Sequence, residues 1–257
     1  MLLRLSASLL LCALPTSSFS QEITVAAAAD LRSAMDEISA RFQSENSARV
    51  KVTYGSSGNF YQQIQNGAPF DIFFSANTDY PKKLAKAGLT VPDTYYEYAR
   101  GKIVLMVRRS SAFDLTPGLK VLLEPAVKKI AIADPSHAPY GQDAVAALKS
   151  QNLYDRVSAK IVTGENISQA ASFVLSGAAD VGIIAMSLAV TPASRSQARY
   201  VEIPTDQYPP LDQACVVLKN SQQQKLARQF ESYLKSGEAR EILQKYGFEL
   251  PRPHSSK

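Results

Sequence analysis

Four short stretches of the chain place small or polar residues between a predicted strand and the start of a predicted helix. They are residues 26–31, 54–59, 134–141 and 164–167. The first turn of a helix exposes N–H groups without partners and carries the positive end of the helix dipole, so several such turns can hold an anion without lysine or arginine. A single junction is better explained by an ordinary turn or by close helix packing. Four junctions in one chain favour an anion site, since the carboxyl ends of strands in doubly wound sheets are where ligands bind.

Residues that could support catalysis are sparse. The two histidines are His137 and His254, too few to form a metal cluster with the cysteines. Ser57 lies in a Gly-Ser-Ser-Gly stretch that differs from the nucleophile elbow of hydrolases, and His137 would serve as its base only if the fold joined the two. Neither the phosphate-loop motif nor the dinucleotide glycine motif occurs. The sequence favours a binding protein, with a Ser57/His137 hydrolase or a ligand-free adhesive or signalling protein as alternatives.

Runs of β-branched and aliphatic residues alternate with helical patterns along the chain, which indicates α/β layering. The number of runs predicts two lobes rather than one sheet, with crossings at residues 95–101 and 204–210. We expect lobe I to combine residues 21–100 with 205–257, and lobe II to comprise residues 101–204. The predicted strands are residues 23–27, 50–54, 71–75, 102–107, 130–133, 160–162, 181–185, 200–203 and 214–218.

The N-terminus has the pattern of a secretory signal. Arg4 precedes an apolar run at residues 5–14, and the small residues Ser18 and Ser20 follow it. The run is too short to span a bilayer. The pattern predicts that residues 1–20 are a signal peptide cleaved after Ser20 and that the mature protein is exported.

The cysteine and charge counts limit the disulfides, anchors and binding partners that the sequence predicts. Cys12 leaves with the signal, so Cys215 remains and no internal disulfide is possible. A lipid anchor at Cys12 is disfavoured because Leu11 stands where processing needs a small residue. Without Arg4 the chain has 27 basic and 23 acidic residues, a net charge of +4 that is spread along the sequence. Nucleic-acid binding would need a concentrated basic stripe and is not expected.

Five stretches carry a family resemblance. They occur from the start of the predicted mature chain almost to its end: ITVAAA at 23–28, QIQNGAP at 63–69, DIFFSA at 71–76, DPSHAP at 134–139 and YGF at 246–248. In order and spacing they resemble the molybdate-binding proteins of ABC transporters. The resemblance implies a type II periplasmic binding protein fold, in which two α/β lobes joined by a hinge hold the anion in an interlobe cleft.

Carried over position by position, the resemblance also implies the site. Ser57 would contact the oxyanion through its hydroxyl, and Tyr140 and Ile167 through their N–H groups. Around these the implied ligand-binding set is Ala29, Asp30, Ser56, Ser57, Tyr140 and Ile167. No catalytic residue, cofactor or metal cation is implied, because molybdenum or tungsten would be bound as the oxyanion.

Two positions depart from the family pattern. Relatives place a hydroxyl where this chain has Asp30, and a carboxylate facing a dianion is repulsive. We therefore expect the Asp30 side chain to cap its own helix and turn away from the cavity. Others place a tyrosine hydroxyl where this chain has Ala185, so one donor is missing unless Ser187, Ser56 or Asn59 replaces it.

The implied function is capture of molybdate or tungstate by a monomeric periplasmic protein that delivers the anion to the membrane permease of an ABC importer. Sulfate or another oxyanion is the alternative ligand.

Overall fold

The structure is a computed structural model that describes residues 21–251. The predicted signal peptide at residues 1–20 and its cleavage lie outside the described residues. Ten strands form two five-stranded sheets, and helices cover both. The predicted α/β fold class is confirmed.

The first sheet combines both ends of the described chain. Its order is β2-β1-β3-β10-β4, in which β1 runs parallel to β2 and β3, whereas β10 runs antiparallel to β3 and β4. These strands are β1 (Gln21–Ala28), β2 (Ala48–Gly55), β3 (Ile72–Ser75), β4 (Tyr96–Gly101) and β10 (Leu211–Val217).

The second sheet is formed by the middle of the chain. Its order is β7-β6-β8-β5-β9, in which β6 runs parallel to β7 and β8, whereas β5 runs antiparallel to β8 and β9. These strands are β5 (Ile103–Arg108), β6 (Ile130–Ala133), β7 (Ile161–Gly164), β8 (Val181–Ala185) and β9 (Ala198–Glu202).

Between residues 21 and 251, ten α-helices lie against these sheets. Each longer helix buries one apolar face, as Met35, Ile38 and Phe42 do on the first. Within residues 21–251 no helix has the length and apolar character needed to cross a bilayer. The helices are α1 (Arg32–Glu45), α2 (Ser57–Gln65), α3 (Asp79–Lys86), α4 (Pro139–Ser150), α5 (Tyr154–Val157), α6 (Ile167–Ser176), α7 (Met186–Ala189), α8 (Pro192–Gln197), α9 (Gln224–Tyr233) and α10 (Gly237–Lys245), with 3-10 turns at Ala29–Leu31, Gly118–Leu123 and Ser158–Lys160.

Each sheet has its own apolar core. The second sheet buries an aliphatic cluster that includes Leu105 and Ile183, both fully buried. One face of the first sheet packs aromatic rings, with Phe42 and Phe230 edge to face at 5.0 Å between centroids. Its other face is covered by α2 and α3 around Phe73. Because both faces of these strands are buried, their sequences are nearly continuous apolar runs.

The chain passes between the sheets twice, and one predicted crossing is wrong in detail. Residues 95–101 were expected to be a connection, but Tyr96–Gly101 is the edge strand β4, so only Lys102 separates it from β5. The second passage, between β9 and β10, covers residues 203–210 and includes the stretch 204–210 that was predicted as a crossing. The sequence did not predict this strand because its polar and aromatic residues do not form the apolar run that is typical of a central strand. An edge strand is buried on fewer sides and does not require such a run. The predicted lobe boundaries stay a prediction.

Close packing fixes the start of α4 against the end of β6. A Cβ atom added to Gly141 would lie 2.2 Å from the carbonyl oxygen of Ala133. Gly141→Ala should therefore lower the free energy of unfolding by about 1–3 kcal/mol, because α4 must move away from the sheet. Gly237→Ala is the matched control, since Gly237 also lies in a first helical turn but a Cβ there meets nothing within 4 Å. Urea unfolding checks both variants, and a Gly141→Ala protein as stable as the wild type would contradict this packing.

Candidate functional site

One small cavity lies where the two sheets face each other. Its volume of about 10 Å³ is too small for a sugar or a peptide. All six residues predicted from the sequence line it, and the only ionisable carboxyl or basic group in the lining belongs to Asp30. The lining is Ala28, Ala29, Asp30, Gly55, Ser56, Ser57, Ala76, Ala138, Pro139, Tyr140, Asn166 and Ile167.

Three helix N-termini meet at this cavity. Ser57, Tyr140 and Ile167 lie in the first turns of α2, α4 and α6, where the N–H groups have no intrahelical acceptor. Within residues 21–251, no backbone carbonyl accepts a hydrogen bond from these three N–H groups. In α6 the Asn166 side chain caps Ser168 and Gln169, which leaves the Ile167 N–H for a ligand. The arrangement offers neutral donors and positive dipole ends to an anion.

The neighbouring serines differ in what their hydroxyls can do. Ser57 Oγ accepts a hydrogen bond from the Ala76 N–H at 2.9 Å, and no described residue accepts the Ser57 proton. That proton is available to a ligand. Ser56 Oγ lies 2.7 Å from both the carbonyl oxygen and the Nδ1 of His137, so its hydroxyl is already bonded. Ser56 therefore lines the cavity but has no free hydroxyl to offer.

Hydroxyl and amide groups also join the two sheets around the cavity. The Gly58 N–H donates to the His137 carbonyl at 2.9 Å, and the Ser168 hydroxyl donates to the Ala29 carbonyl at 3.0 Å. The buried Ser187 hydroxyl donates to the Asp30 carbonyl at 2.8 Å. Ser187 is thus occupied and does not replace the tyrosine donor missing at Ala185. These contacts tie the elements of the two sheets together around the cavity.

Asp30 lies in a buried polar network rather than capping a helix. It is 1% exposed, and its Oδ2 accepts a hydrogen bond from Gln213 Nε2 at 2.7 Å. Gln213 also donates to the Tyr140 hydroxyl at 3.2 Å, and its Oε1 accepts from the Tyr98 hydroxyl at 2.7 Å. No side-chain hydrogen bond caps the 3-10 turn at Ala29–Leu31 or α1. The predicted capping role of Asp30 is wrong, because Gln213 on β10 offers a buried donor.

Burial dominates the electrostatics of this carboxyl. It raises the pKa of Asp30 to about 6, because loss of water disfavours the charged form. The polar groups of Gln213, then Tyr140, then the backbone of Asp30 and Leu31 lower the pKa and offset only part of this effect. The Asp30 Oδ1 has no hydrogen-bond partner among residues 21–251.

The alternative catalytic pair is not assembled. His137 contacts Ser56 and not Ser57, and the Ser56 hydroxyl is held by the His137 carbonyl. The other ring nitrogen of His137 lies 3.6 Å from the Asp134 carboxylate, which orients the ring. In the part of the chain that the structure describes, no three His, Cys, Asp or Glu side chains are grouped to hold a metal ion.

Sequence reasoning missed the residues behind the cavity wall. Gln213 is fully buried and Tyr98 is fully buried, yet neither lies near a predicted junction. A lone glutamine before the apolar run 214–218 was the single available signal. Ser168, the residue directly after the predicted junction at 164–167, was also not assigned its contact with Ala29.

Comparison with known proteins identifies the family. The model of the bacterial extracellular solute-binding protein family matches residues 23–249. The molybdate-binding protein ModA of Azotobacter vinelandii is 35% identical over 96% of this chain and 95% of its own, and ModA of Rhodobacter capsulatus is 36% identical over 88% of each. The structure of the Azotobacter vinelandii periplasmic molybdate-binding protein covers 90% of this chain and 100% of its own, with a TM-score of 0.85 and 32% identity. The chain belongs to the bacterial extracellular solute-binding protein family.

Proposed function

We propose that this protein captures molybdate or tungstate in the cavity between its sheets and delivers the anion to the membrane permease of an ABC importer. The observation that carries the proposal is the meeting of three helix N-termini and the free Ser57 hydroxyl proton at one small cavity without a lysine or arginine in its lining. The relatives named as molybdate-binding proteins, matched over nearly the whole chain, support this choice of anion.

The chemistry of the lining fits a compact, fully ionised anion. A buried dianion loses far more hydration free energy than a few neutral hydrogen bonds return, unless fixed dipoles meet its oxygens. The N–H groups of Ser57, Tyr140 and Ile167 are fixed by the helices that they begin. A rigid ring of donors fits one distance between the central atom and its oxygens best, so it selects by size.

Closure of two lobes would complete this ring. We propose that each sheet is the centre of one lobe, with lobe I at residues 21–100 and 205–257 and lobe II at residues 101–204. The anion would favour the closed form by binding it more tightly than the open form. The hydroxyl contacts of Ser168 and Ser187 across the cavity would stabilise the closed form further. The permease would recognise that form.

The cellular setting belongs to the same proposal. A signal peptide at residues 1–20 would export the chain to the periplasm, where it would act as a monomer without nucleic acid. Delivery of a ligand to a transporter requires no catalytic residue, and the related solute-binding proteins are not enzymes.

Calorimetric titration of anion-free protein starting at Gln21 tests the choice of anion. We expect one-to-one binding of molybdate and tungstate, and at least about a hundredfold weaker binding of sulfate and phosphate, because misfit at each oxygen costs hydrogen-bond energy. Equal binding of sulfate would replace the proposed ligand within the same class. Absence of heat with all four anions would overturn the proposed function.

Removal of the Ser57 hydroxyl tests the position of the site. Ser57→Ala should weaken molybdate binding about ten- to a hundredfold, because a hydrogen bond to a charged ligand contributes about 1.5–3 kcal/mol. Ser172→Ala is the control, since that serine is exposed on α6 and bonds only its own helix. Thermal melts confirm that both variants fold. Unchanged affinity in Ser57→Ala would place the anion elsewhere.

A further inference from the structure

We propose that Asp30 holds the anion as a neutral carboxylic acid, so that one proton enters the site with each anion and the acid donates a hydrogen bond to an anion oxygen. This inference rests on the proposed function. It identifies Asp30 as the residue that sets the pH range of anion binding and the charge of the anion that is bound. The proton comes from solvent and returns to solvent when the anion leaves, so no bond other than O–H is formed or broken.

The two carboxyl oxygens of Asp30 have different surroundings. Oδ2 accepts a hydrogen bond from Gln213 Nε2 at 2.7 Å, so this oxygen has a hydrogen-bond donor without being protonated. Oδ1 is fully buried and has no partner among the residues that the structure describes, although the residue lines the cavity. An unpaired buried carboxylate oxygen is costly, whereas a protonated carboxyl oxygen is a hydrogen-bond donor.

Among residues 21–251, no cationic side chain forms an ion pair with Asp30. The turn that carries it packs against α6 and α7, whose residues 167–176 and 186–189 include no titratable side chain. On α1, which follows the turn, the Arg32 guanidinium lies 4.4 Å from the centre of the Tyr54 ring.

The elements behind the turn also supply neutral groups. Tyr140 from α4, Tyr98 from β4 and Gln213 from β10 face the carboxyl. The charged residues on those strands have partners of their own: Arg100 pairs with Asp212 at 2.7 Å, and Glu97 pairs with Lys82 at 3.9 Å. A dianion in the cavity would then meet an uncompensated carboxylate, and protonation of Asp30 is the change that removes the repulsion.

The direction of the linkage follows from the pKa of Asp30. Burial raises that pKa to about 6 in the anion-free protein, and a neighbouring dianion would raise it further. Below pH 6 the acid is already neutral, so affinity is insensitive to pH. Above pH 6 a proton must be taken up with the anion, so affinity falls by up to about tenfold per pH unit.

The experiment measures molybdate affinity by calorimetry between about pH 5.5 and pH 8.5, in pairs of buffers that differ in ionisation enthalpy, so that proton uptake is counted directly. The variants are Asp30→Asn, which keeps a donor but does not titrate, and Asp30→Ser, which keeps a hydroxyl. Asp143→Asn is the matched control, because Asp143 is a second buried carboxyl, 7% exposed with a pKa raised by burial to about 7, that does not line the anion cavity.

We expect the wild type and Asp143→Asn to take up about one proton per anion at pH 8 and to lose affinity as the pH rises. Asp30→Asn and Asp30→Ser should bind with little dependence on pH and without proton uptake. In the anion-free state Asp30→Asn should melt at a higher temperature than the wild type at pH 8. The difference in melting temperature should shrink as the pH falls below 6, because the destabilising charge on Asp30 is present only above its raised pKa.

Two results would overturn the inference while the proposed function stands. One is molybdate binding by the wild type with constant affinity and no proton uptake, and the other is a wild-type pH dependence retained in both Asp30 variants. Absence of molybdate binding by the wild type at every pH would overturn the proposed function and this inference together.

Discussion

Burial of a dianion away from water is the constraint on which the rest of the proposed site depends. Hydration of the anion must be replaced by groups that are already in position, since flexible cationic side chains would lose entropy and would bind any anion. The first turns of α2, α4 and α6 provide such groups, because the N–H positions of Ser57, Tyr140 and Ile167 are set by helix geometry. Recognition by the backbone explains why the cavity is lined by small residues that let the anion approach closely.

The two sheets make that geometry rigid. β2 leads into α2 in the first sheet, and β6 and β7 lead into α4 and α6 in the second, so donors from both sheets face one cavity. The same turn serves two purposes at Ala29–Leu31. Its carbonyl groups accept hydrogen bonds from serines attached to the second sheet, and its side chain at Asp30 reaches back to Gln213 in the first sheet. In the proposed function, this short turn would therefore couple closure to the charge of the site.

Local patterns predicted the parts of the molecule that local interactions determine. The predicted strand-to-helix junctions contain the six residues that the family resemblance assigned to the site, and these six are among the twelve that line the cavity. The role of Asp30 could not be predicted, since its partner Gln213 is 183 positions away and only the folded sheet brings them together. The edge strand β4 was missed for a similar reason, because its pairing with β10 and not its composition makes it a strand.

A crystal structure of the protein grown with molybdate, with the molybdenum located by anomalous scattering, tests the central claim most directly. We expect a single strong peak in the cavity, with anion oxygens about 2.7–3.2 Å from the N–H nitrogens of Ser57, Tyr140 and Ile167 and from the Ser57 hydroxyl oxygen. A peak elsewhere on the molecule, or an anion held mainly by lysine or arginine side chains, would contradict recognition by helix N-termini.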